Sequence, residues 1–446
     1  GHAHLGHAKS YVSFDVIYRY LQLRDYKVKY VQNITDVGHL TDDADEGEDK
    51  IAKKAREERI EPMAIVETFT KSYFDDMDAL NVKRADIYPR ASGHIIEQIE
   101  MIQTLIEKDH AYVIDGTVYF DVRSFKDYGK LSGRKLEDMK SGTRVESKSD
   151  KRNPEDFALW KVAGPEHIMK WTSPWGQGYP GWHIECSAMS RKYLGDSFDI
   201  HGGGMENQFP HHECEIAQSE SANDKRFVKY WMHNNMVTRD GVKMGKSLGN
   251  SITLKEAIKK HGPMAVRFFV IGSHYRSNLD YSEHALESAA KGLKRIMTAI
   301  SELQFRIKSN SAANGPRLPI DIETYKERFF TAMDNDFSTP EALAILFELV
   351  TEINSLPAKQ FDKQQLETIS EFMDITVNQL FGLIPEQQSG QDLKPMIDGT
   401  MSILMSVREQ SRLKRDWGTS DFIRDRLAEI GIELKDTPDG QKWLFK

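Results

Sequence analysis

The segment from Phe198 to Glu215 constrains the fold of this chain more than any other. Its first residues alternate between polar and apolar, which is typical of a short strand, and three glycines then lead to Pro210, a residue suited to a helix start. The glycines allow the backbone to pass close to a ligand. His211 and Glu215 are four residues apart on the predicted helix, so they share one of its faces. The segment therefore predicts a strand, a glycine turn and a helix with ligating side chains.

A sulfur donor precedes this segment, because Cys186 lies in the stretch Trp182–Met189. Cysteine, histidine and glutamate near a strand end form a metal-binding set, and zinc is the usual occupant of mixed sulfur, nitrogen and oxygen sites. The residues alone leave a second interpretation open, in which Cys186 is a small core residue and the polar side chains are solvated. The glycine-rich strand end beside the set favours a site for a nucleotide and a metal.

Composition limits the class of protein. The chain has 446 residues, of which 39% are hydrophobic and 29% charged, as in a soluble globular protein with several domains. Two cysteines provide no disulfide framework, so we expect a reducing, cytoplasmic location. The net charge of −8 argues against nonspecific coating of nucleic acid but allows a structured RNA to bind a local basic face. No apolar run approaches the length of a membrane span, so no membrane contact is expected.

The start of the chain, from Gly1 to His7, is rich in histidine and leads directly into a helix with apolar periodicity. It has two interpretations. One is a remnant of an affinity tag. The other is a loop that places His4 and His7 at the positive end of a helix, where phosphate binds well. A nucleotide-binding α/β sheet has a strand before such a loop, so we expect the chain to lack its native N-terminal strand.

Two further segments have the features of ligand-binding loops. Lys27 to Asp36 alternates like a strand and ends in the polar run Asn33–Asp36, and such strand ends tend to contact ligands. Farther along, glycines at 241, 245 and 249 surround Lys243 and Lys246. This pattern predicts a mobile cationic loop that can close over a polyphosphate. The competing interpretation of the second segment is an ordinary exposed turn.

The remaining chain has a β-rich part followed by a helical part. Helices are predicted at about 49–59, 62–80 and 93–109, and a hairpin with Asp115–Gly116 at its turn follows them. Helical periodicity then recurs over 286–303, 322–333, 340–356 and 364–381, which predicts an antiparallel bundle. Two helices, 397–415 and 419–430, and a terminal hairpin close the chain. The cationic residues Arg408, Arg412, Lys414 and Arg415, followed by Trp417 and later by Trp443, suggest a surface for RNA.

In this order, these segments resemble a known family. His4-Leu5-Gly6-His7 resembles the HIGH motif, and Lys243-Met244-Gly245-Lys246-Ser247 resembles the KMSKS motif, of class I aminoacyl-tRNA synthetases. The stretches 33–36, 182–189 and 201–218 resemble the cysteinyl-tRNA synthetases in particular. Either motif alone is weak, but the order of the two, with a Cys-x24-His-x3-Glu set between them, is specific. The resemblance runs over nearly the whole chain.

The resemblance implies an α/β fold. A doubly wound, Rossmann-type catalytic domain with a connective insert is followed by an α-helical bundle and a small α+β anticodon-binding domain. The implied boundaries are 1–92 for the first part of the catalytic domain, 93–175 for the insert, 176–228 for the second part of the catalytic domain, 229–285 for a stem-contact region with the KMSKS-like loop, 286–384 for the bundle and 397–446 for the anticodon-binding domain.

The resemblance also implies a reaction, in which cysteine and ATP give cysteinyl-adenylate and cysteine is then transferred to tRNA(Cys). ATP is a substrate with Mg²⁺, one zinc ion per chain selects the cysteine thiolate, and a monomer is expected. The residue roles implied are catalysis by His4, His7, Lys243 and Lys246; ATP binding by His4, Gly6, His7, Gly204, Glu206 and Lys246; cysteine binding by Asn33, Thr35 and Trp182; and zinc ligation by Cys186, His211 and Glu215.

Three positions depart from the family pattern. The fourth zinc ligand of the family is a cysteine in the strand before the HIGH motif, and this chain starts too late to contain it, so the identity of a fourth ligand stays open, with Cys214 as a candidate. Gly245 replaces the serine within the lysine motif and should loosen the loop. Glu206 stands where the family has an aspartate, which keeps the carboxylate but adds one methylene group.

Two other functions remain open from the residues. A ligase of the same ancestry joins cysteine to an amino-sugar in mycothiol synthesis, although the anticodon-like end from Arg408 to Phe445 argues against it. A non-catalytic relative that binds tRNA or zinc is the second alternative. Cysteine-dependent exchange of pyrophosphate into ATP, followed by charging of tRNA, separates the three.

Overall fold

The computed structural model describes residues 1–37, 50–135, 151–165, 167–244, 249, 252–309, 315–357, 360–385, 394–437 and 440–445. They form two compact units, residues 1–384 and residues 385–446. Within these ranges, no helix combines the length and the apolar character needed to cross a membrane. The basic, polar sequence of residues 140–153 predicts a surface loop, and residues 385–392 are predicted to be a linker; both segments fall mostly outside the described residues.

The first unit contains most of the regular structure. Its helices are α1 Leu5–Leu23, α2 Lys50–Glu58, α3 Pro62–Ala79, α4 Ile95–Glu107, α5 Trp182–Leu194, α6 His211–Asn223, α7 Leu254–His261, α8 Pro263–Ile271, α9 Glu283–Ser309, α10 Ile322–Asp334, α11 Thr339–Ser355 and α12 Lys363–Met373. Its strands are β1 Ala111–Ile114, β2 Thr117–Phe120, β3 Phe157–Val162, β4 Trp171–Ser173, β5 Gly176–Pro180, β6 Phe198–Gly204, β7 Val228–Asn234, β8 Val237–Arg239, β9 Val242–Lys243 and β10 Leu279–Tyr281.

Strand β6 is longer than the sequence predicts, because it continues through all three glycines and pairs in parallel with β7 as far as Gly204 opposite Asn234. The glycines are required by packing. A Cβ atom on Gly202 would lie 2.4 Å from the ring of Phe14 on α1, and one on Gly203 would lie 2.8 Å from the ring of His212 on α6. Two of the glycines expected to serve a ligand therefore make room for these two helices.

The strand predicted from Lys27 to Asp36 is extended but forms only isolated parallel bridges, Val31 with Ile87 and Ile34 with Arg90. The amide of Ile34 donates to the carbonyl of Pro89 at 2.8 Å, and its carbonyl accepts from the amide of Ala91 at 3.2 Å, whereas Pro89 has no N–H to donate to the neighbouring segment. The proline interrupts the ladder, which explains why a continuous strand does not form. Residues 28–33 and the residues of β6 both line the large cavity described below.

The insert is an antiparallel sheet in the order β1-β2-β3-β5-β4. Strands β1 and β2 form the predicted hairpin, with Asp115 at φ 49° and Gly116 at φ 84° in its turn. These positive values fit the two-residue turn that suits a twisted hairpin. Trp160 on β3 is fully buried and belongs to the core that this sheet shares with α4, α5 and α6. The insert thereby packs directly against the helix that carries His211 and Glu215.

The helical half agrees with the predicted bundle, since α9 to α12 contain its four predicted helices. The last of them differs, because α12 ends at Met373 and residues Asp374–Leu380 are π-helical. The core of α9 to α12 is continuous with the apolar faces of α1 and α8. The helix that begins at the HIGH-like motif is thus packed against the bundle.

The second unit contains helices α13 Lys394–Leu413 and α14 Trp417–Glu429 and the hairpin of β11 Ile432–Thr437 and β12 Gly440–Phe445. Gly431, at φ 83°, follows α14 in the left-handed conformation that commonly ends a helix. One expectation for the cationic surface needs correction, that of an exposed Arg408. Arg408 is buried at 5% exposure, and the half-buried Trp443 packs on the small core of this unit. The exposed residues include Lys414, Arg415 and Trp417.

A buried ion cluster joins four segments of the first unit. Asp15 on α1 pairs with Arg19, at 2.8 Å, and with the fully buried Arg267 of α8. Arg267 also donates to the carbonyl of Phe381 at 2.6 Å and to the carbonyl of Leu80 at 2.9 Å. Charges taken out of water are stable only when every donor finds an acceptor. The cluster therefore fixes α1 to the ends of α3 and of the π-helical segment.

We expect Asp15→Asn to lower the free energy of unfolding of the first unit by about 3–5 kcal/mol, because it leaves two buried guanidinium groups without an anion. Urea unfolding followed by circular dichroism measures the loss. Glu348→Gln is the control, since it removes a pair with Arg328 whose side chains are 50% and 45% exposed, and should cost about 1 kcal/mol or less. Equal losses in the two variants would contradict this account of the cluster.

Candidate nucleotide and metal site

The start of α1 is organised by its two histidines. His4 is the N-cap, and its Nδ1 accepts a hydrogen bond from the amide of Gly6 at 3.0 Å. His7 Nδ1 accepts from the amide of His4 at 3.2 Å. A Cβ atom on Gly6 would lie 2.8 Å from the ring of His4, so only glycine allows this arrangement. The HIGH-like motif thus fixes both imidazole rings at the positive end of a helix.

A cavity of about 1320 Å³ opens beside this helix end. Several residues predicted from the sequence line it together, namely His4, Gly6, His7, Asn33, Cys186, Gly204, Glu206 and Lys243. They come from the N-terminus of α1, from α5, from the extended segment that contains Asn33, and from the ends of β6 and β9 with the turn that follows β6. The ends of strands are where ligands of α/β sheets bind. Lys246, with Gly245, lies outside the described residues.

The turn after β6 brings a carboxylate back toward the strand end. Residues Met205–Gln208 form a short 3₁₀ turn directly after Gly204. A Cβ atom on Gly204 would lie 2.6 Å from the carboxyl carbon of Glu206, so the glycine makes room for this longer acid. The additional methylene group of Glu206 is therefore accommodated by folding the side chain over the strand end.

The lysine loop begins from a small anchored hairpin. Strands β8 and β9 are joined by Asp240 and Gly241, and β9 ends at Lys243. Asp280 on β10 accepts hydrogen bonds from Thr238 Oγ1 at 2.6 Å and from the amide of Gly241 at 3.0 Å. These bonds lower the pKa of Asp280 and hold the base of the hairpin beside the cavity. Lys243 is exposed at the cavity edge.

The predicted amino-acid pocket is organised by polar contacts. Asn33 donates from Nδ2 to Thr35 Oγ1 at 3.1 Å. The following residue, Asp36, is fully buried and accepts hydrogen bonds from the amide and the hydroxyl of Ser92 at 2.8 and 2.6 Å. Trp182 is not among the residues that line the cavity, but its ring centroid lies 4.3 Å from that of His211. The tryptophan is thus packed against the metal-binding set.

The three residues predicted to bind a metal converge. Cys186 on α5 and His211 and Glu215 on α6 each offer one ligand atom, and these atoms lie within 4.8 Å of one another. His211 and Glu215 share the helix face that their spacing predicts. Cys214 is directed elsewhere, with its sulfur 3.4 Å from the hydroxyl of Tyr128. The described part of the chain therefore gives Cys214 a packing contact rather than a place in this set.

The set has the chemistry of a metal site. His211 Nε2 lies 3.0 Å from Glu215 Oε1, but it is not aligned as a donor, and Oε1 has no hydrogen-bond partner among the described residues. Two ligand atoms side by side suit a shared cation better than a hydrogen bond. Although burial acts to raise the pKa of Glu215, His201 and His211 outweigh it and hold that pKa well below its usual range. Burial, and after it the charge of Glu215, raises the pKa of the Cys186 thiol. A bound cation would lower that pKa and favour the thiolate.

A group of histidines behind the set was not predicted. His201 Nε2 lies 2.9 Å from Glu215 Oε2, and His183 and His211 approach through their Nδ1 atoms at 2.7 Å. His212 Nδ1 lies 2.8 Å from His233 Nε2. Burial, and then the nearby His201 and Arg276, lower the pKa of His233 to about 4. The only signal in the sequence is the density of histidine in segments that become neighbours through the pairing of β6 with β7.

Comparison with known proteins identifies similar sequences over the whole chain. Residues 1–291 match the family model described as the tRNA synthetases class I (C) catalytic domain, and residues 328–384 match the DALR domain. The cysteine–tRNA ligase of Chlorobaculum tepidum is 53% identical, over 100% of this chain and 92% of that protein. The cysteine–tRNA ligase of Thermus thermophilus is 48% identical, over 99% of this chain and 92% of that protein.

Solved structures of more distant proteins have the same fold. The LeuRS of Agrobacterium radiobacter K84, in a ternary complex with tRNA and LeuAMS, aligns with a TM-score of 0.64 at 12% identity, over 87% of this chain and 83% of that one. Methionyl-tRNA synthetase of Mycobacterium tuberculosis, bound by methionyl-adenylate, aligns with a TM-score of 0.60 at 14% identity, over 86% and 90% of the two chains. At these identities the likeness concerns the fold alone.

We expect Cys186→Ser to lose bound metal, because a hydroxyl replaces the soft sulfur ligand. Elemental analysis of protein purified without chelators measures the metal content per chain. Cys214→Ser is the matched control, since that cysteine is equally small and more buried, and it should keep the metal. Full metal content in Cys186→Ser, or equal loss in the two variants, would contradict the assignment.

Proposed function

This chain belongs to the cysteine–tRNA ligase family of class I synthetases, and we propose that it joins L-cysteine to tRNA(Cys) at the expense of ATP. The first step gives cysteinyl-adenylate and pyrophosphate, and the second transfers cysteine to the terminal ribose of the tRNA. The observation that carries the proposal is the convergence of Cys186, His211 and Glu215, because Cys186 lines the same cavity as the HIGH-like helix end.

Nucleotide binding is assigned to the cavity walls. His4, Gly6 and His7 stand at the positive end of α1, which favours the phosphates of ATP. Gly204 and Glu206 are assigned to the adenosine, with the carboxylate available to a ribose hydroxyl. The chemistry needs little acid or base, because the cysteine carboxylate attacks the α-phosphorus directly and pyrophosphate leaves with Mg²⁺.

Stabilisation of the charge that develops on the leaving pyrophosphate is assigned to the lysine loop. Lys243 ends a hairpin whose base is held by Asp280, so the start of the lysine loop is fixed beside the cavity. Lys243 and Lys246 are proposed to contact the phosphates as charge develops, which is where such contacts accelerate a reaction.

Selection of cysteine is assigned to the metal set. Cysteine and serine differ by one atom, and an apolar pocket separates such pairs by only about 1–3 kcal/mol. A zinc ion held by Cys186, His211 and Glu215 would supply an open coordination site that a thiolate occupies far more readily than a hydroxyl. Asn33, Thr35 and Trp182 are proposed to orient the rest of the amino acid. The partly buried contact of His211 Nδ1 with His183 is proposed to hold the imidazole of His211 toward the set.

The experiment that tests this function is exchange of labelled pyrophosphate into ATP by the purified protein, followed by charging of a tRNA(Cys) transcript. We expect exchange with cysteine, and a cysteine-to-serine ratio of kcat/KM above the roughly 200-fold that an apolar pocket achieves. Charging of tRNA(Cys) separates this enzyme from an amino-sugar ligase. Exchange that is absent, or equal with serine, would contradict the proposal.

We propose that the second unit reads the tRNA and takes no part in activation. Its α13 ends in the exposed Lys414 and Arg415, and Trp417 beside them is 57% exposed, a combination suited to phosphates and to stacking on loop bases. Ending the chain at Ile384 should leave cysteine-dependent exchange intact and raise the KM for tRNA in charging. Equal loss of exchange and charging in a folded truncated protein would mean that this unit supports the catalytic unit instead.

A further inference from the structure

Glu213 lies between the two helical members of the metal set and is fully buried. Its carboxylate accepts three backbone hydrogen bonds from one turn of the insert. Oε1 accepts from the amides of Leu131 at 2.7 Å and Ser132 at 2.6 Å, and Oε2 accepts from the amide of Gly129 at 3.1 Å. Hydrogen bonds to a buried carboxylate are strong, and removing them leaves unpaired donors in a dry environment.

The turn that donates these bonds spans residues 128–134 and is here called the clamp turn. Gly129 has φ 95°, and a Cβ atom there would lie 2.0 Å from the carbonyl oxygen of Arg134, so the turn requires glycine. Two of its other contacts reach the residues just before α6. Gln208 Nε2 donates to the carbonyl of Leu131 at 3.0 Å, and the guanidinium of Arg134 lies 4.2 Å from the ring of Phe209.

Helix geometry makes Glu213 a fixed point for rotation of α6. It is two residues from both His211 and Glu215, so at about 100° per residue it projects from the face opposite to theirs. If α6 rotated by about 10° about its axis, side-chain atoms that lie about 6 Å from the axis would be displaced by about 1 Å. A displacement of about 1 Å at a reacting centre can cost on the order of 10²-fold in rate.

We propose that Glu213 is a positioning residue, which fixes the rotation of α6 through the clamp turn and so directs His211 and Glu215 toward Cys186. The inference rests on the proposed cysteine activation. It assigns a role in amino-acid selection to a part of the insert that does not line the cavity. It also explains why a helix rich in buried polar residues carries a carboxylate on the side away from its metal-binding face.

The test uses two variants that loosen the clamp from opposite sides. Glu213→Gln replaces one of the two acceptor oxygens by an N–H₂ group, which then faces backbone N–H donors. Gly129→Ala displaces the turn while Glu213 stays intact. For each we expect kcat/KM for cysteine to fall by about 10- to 100-fold, as for other partners that orient metal ligands. Release of zinc to a chromogenic chelator should be faster by a similar factor, and KM for ATP should not change. The double variant should be no worse than the stronger single one.

Glu220→Gln is the matched control. Glu220 lies on the same helix and pairs with Lys130 of the clamp turn at 2.5 Å, but it is more than one turn of the helix beyond Glu215. It should leave cysteine kinetics and zinc release unchanged. Unchanged zinc release and cysteine kinetics in Glu213→Gln and Gly129→Ala would overturn the inference. An equal loss of kcat/KM for cysteine and for ATP would also overturn it. So would a lowered melting temperature in both variants without a fall in kcat/KM for cysteine. A wild-type protein without cysteine-dependent exchange would instead refute the proposed function.

Discussion

The close approach of two helices to the glycines of β6 is the contact on which the rest of the structure depends. Gly202 admits the ring of Phe14, and Gly203 admits the ring of His212, at distances that no side chain would allow. Helix α1 begins with His4 and His7, and α6 begins with His211 and carries Glu215. By seating both helices against one strand, the glycines bring the proposed phosphate-binding and metal-binding groups to the same end of the sheet.

Buried charge then holds these helices in place from the other side. Asp15 and Arg267 fix α1 to the bundle, while Glu213 fixes α6 to the insert through backbone amides. The Asp15–Arg267 pair and the Glu213 carboxylate are both costly to bury, and hydrogen bonds compensate this cost. Each of these two interactions therefore specifies one arrangement of its helix. The catalytic unit thus positions its two functional helices with interactions that lie away from the cavity.

Much of this architecture could be predicted from local patterns, and the rest depends on tertiary contacts. The spacing of His211 and Glu215 predicted a shared face, and Asp115–Gly116 predicted the hairpin of the insert. The partners His201 and His233 were missed because they become neighbours of α6 only through the register of β6 and β7. Arg408 was expected on the surface because it begins a cationic run along the chain, but it is buried at 5% exposure. Local sequence carries periodicity and turn chemistry, but it does not carry the register or packing that brings distant segments together.

X-ray absorption at the zinc edge tests the central claim of this account most directly. The claim is that Cys186, His211 and Glu215 hold a metal with a position open to the substrate sulfur. The number of sulfur ligands per zinc should rise by one when the protein is saturated with cysteine, and it should not change with serine. A sulfur count that stays constant with saturating cysteine would contradict the account, because selection would then have to come from another part of the cavity.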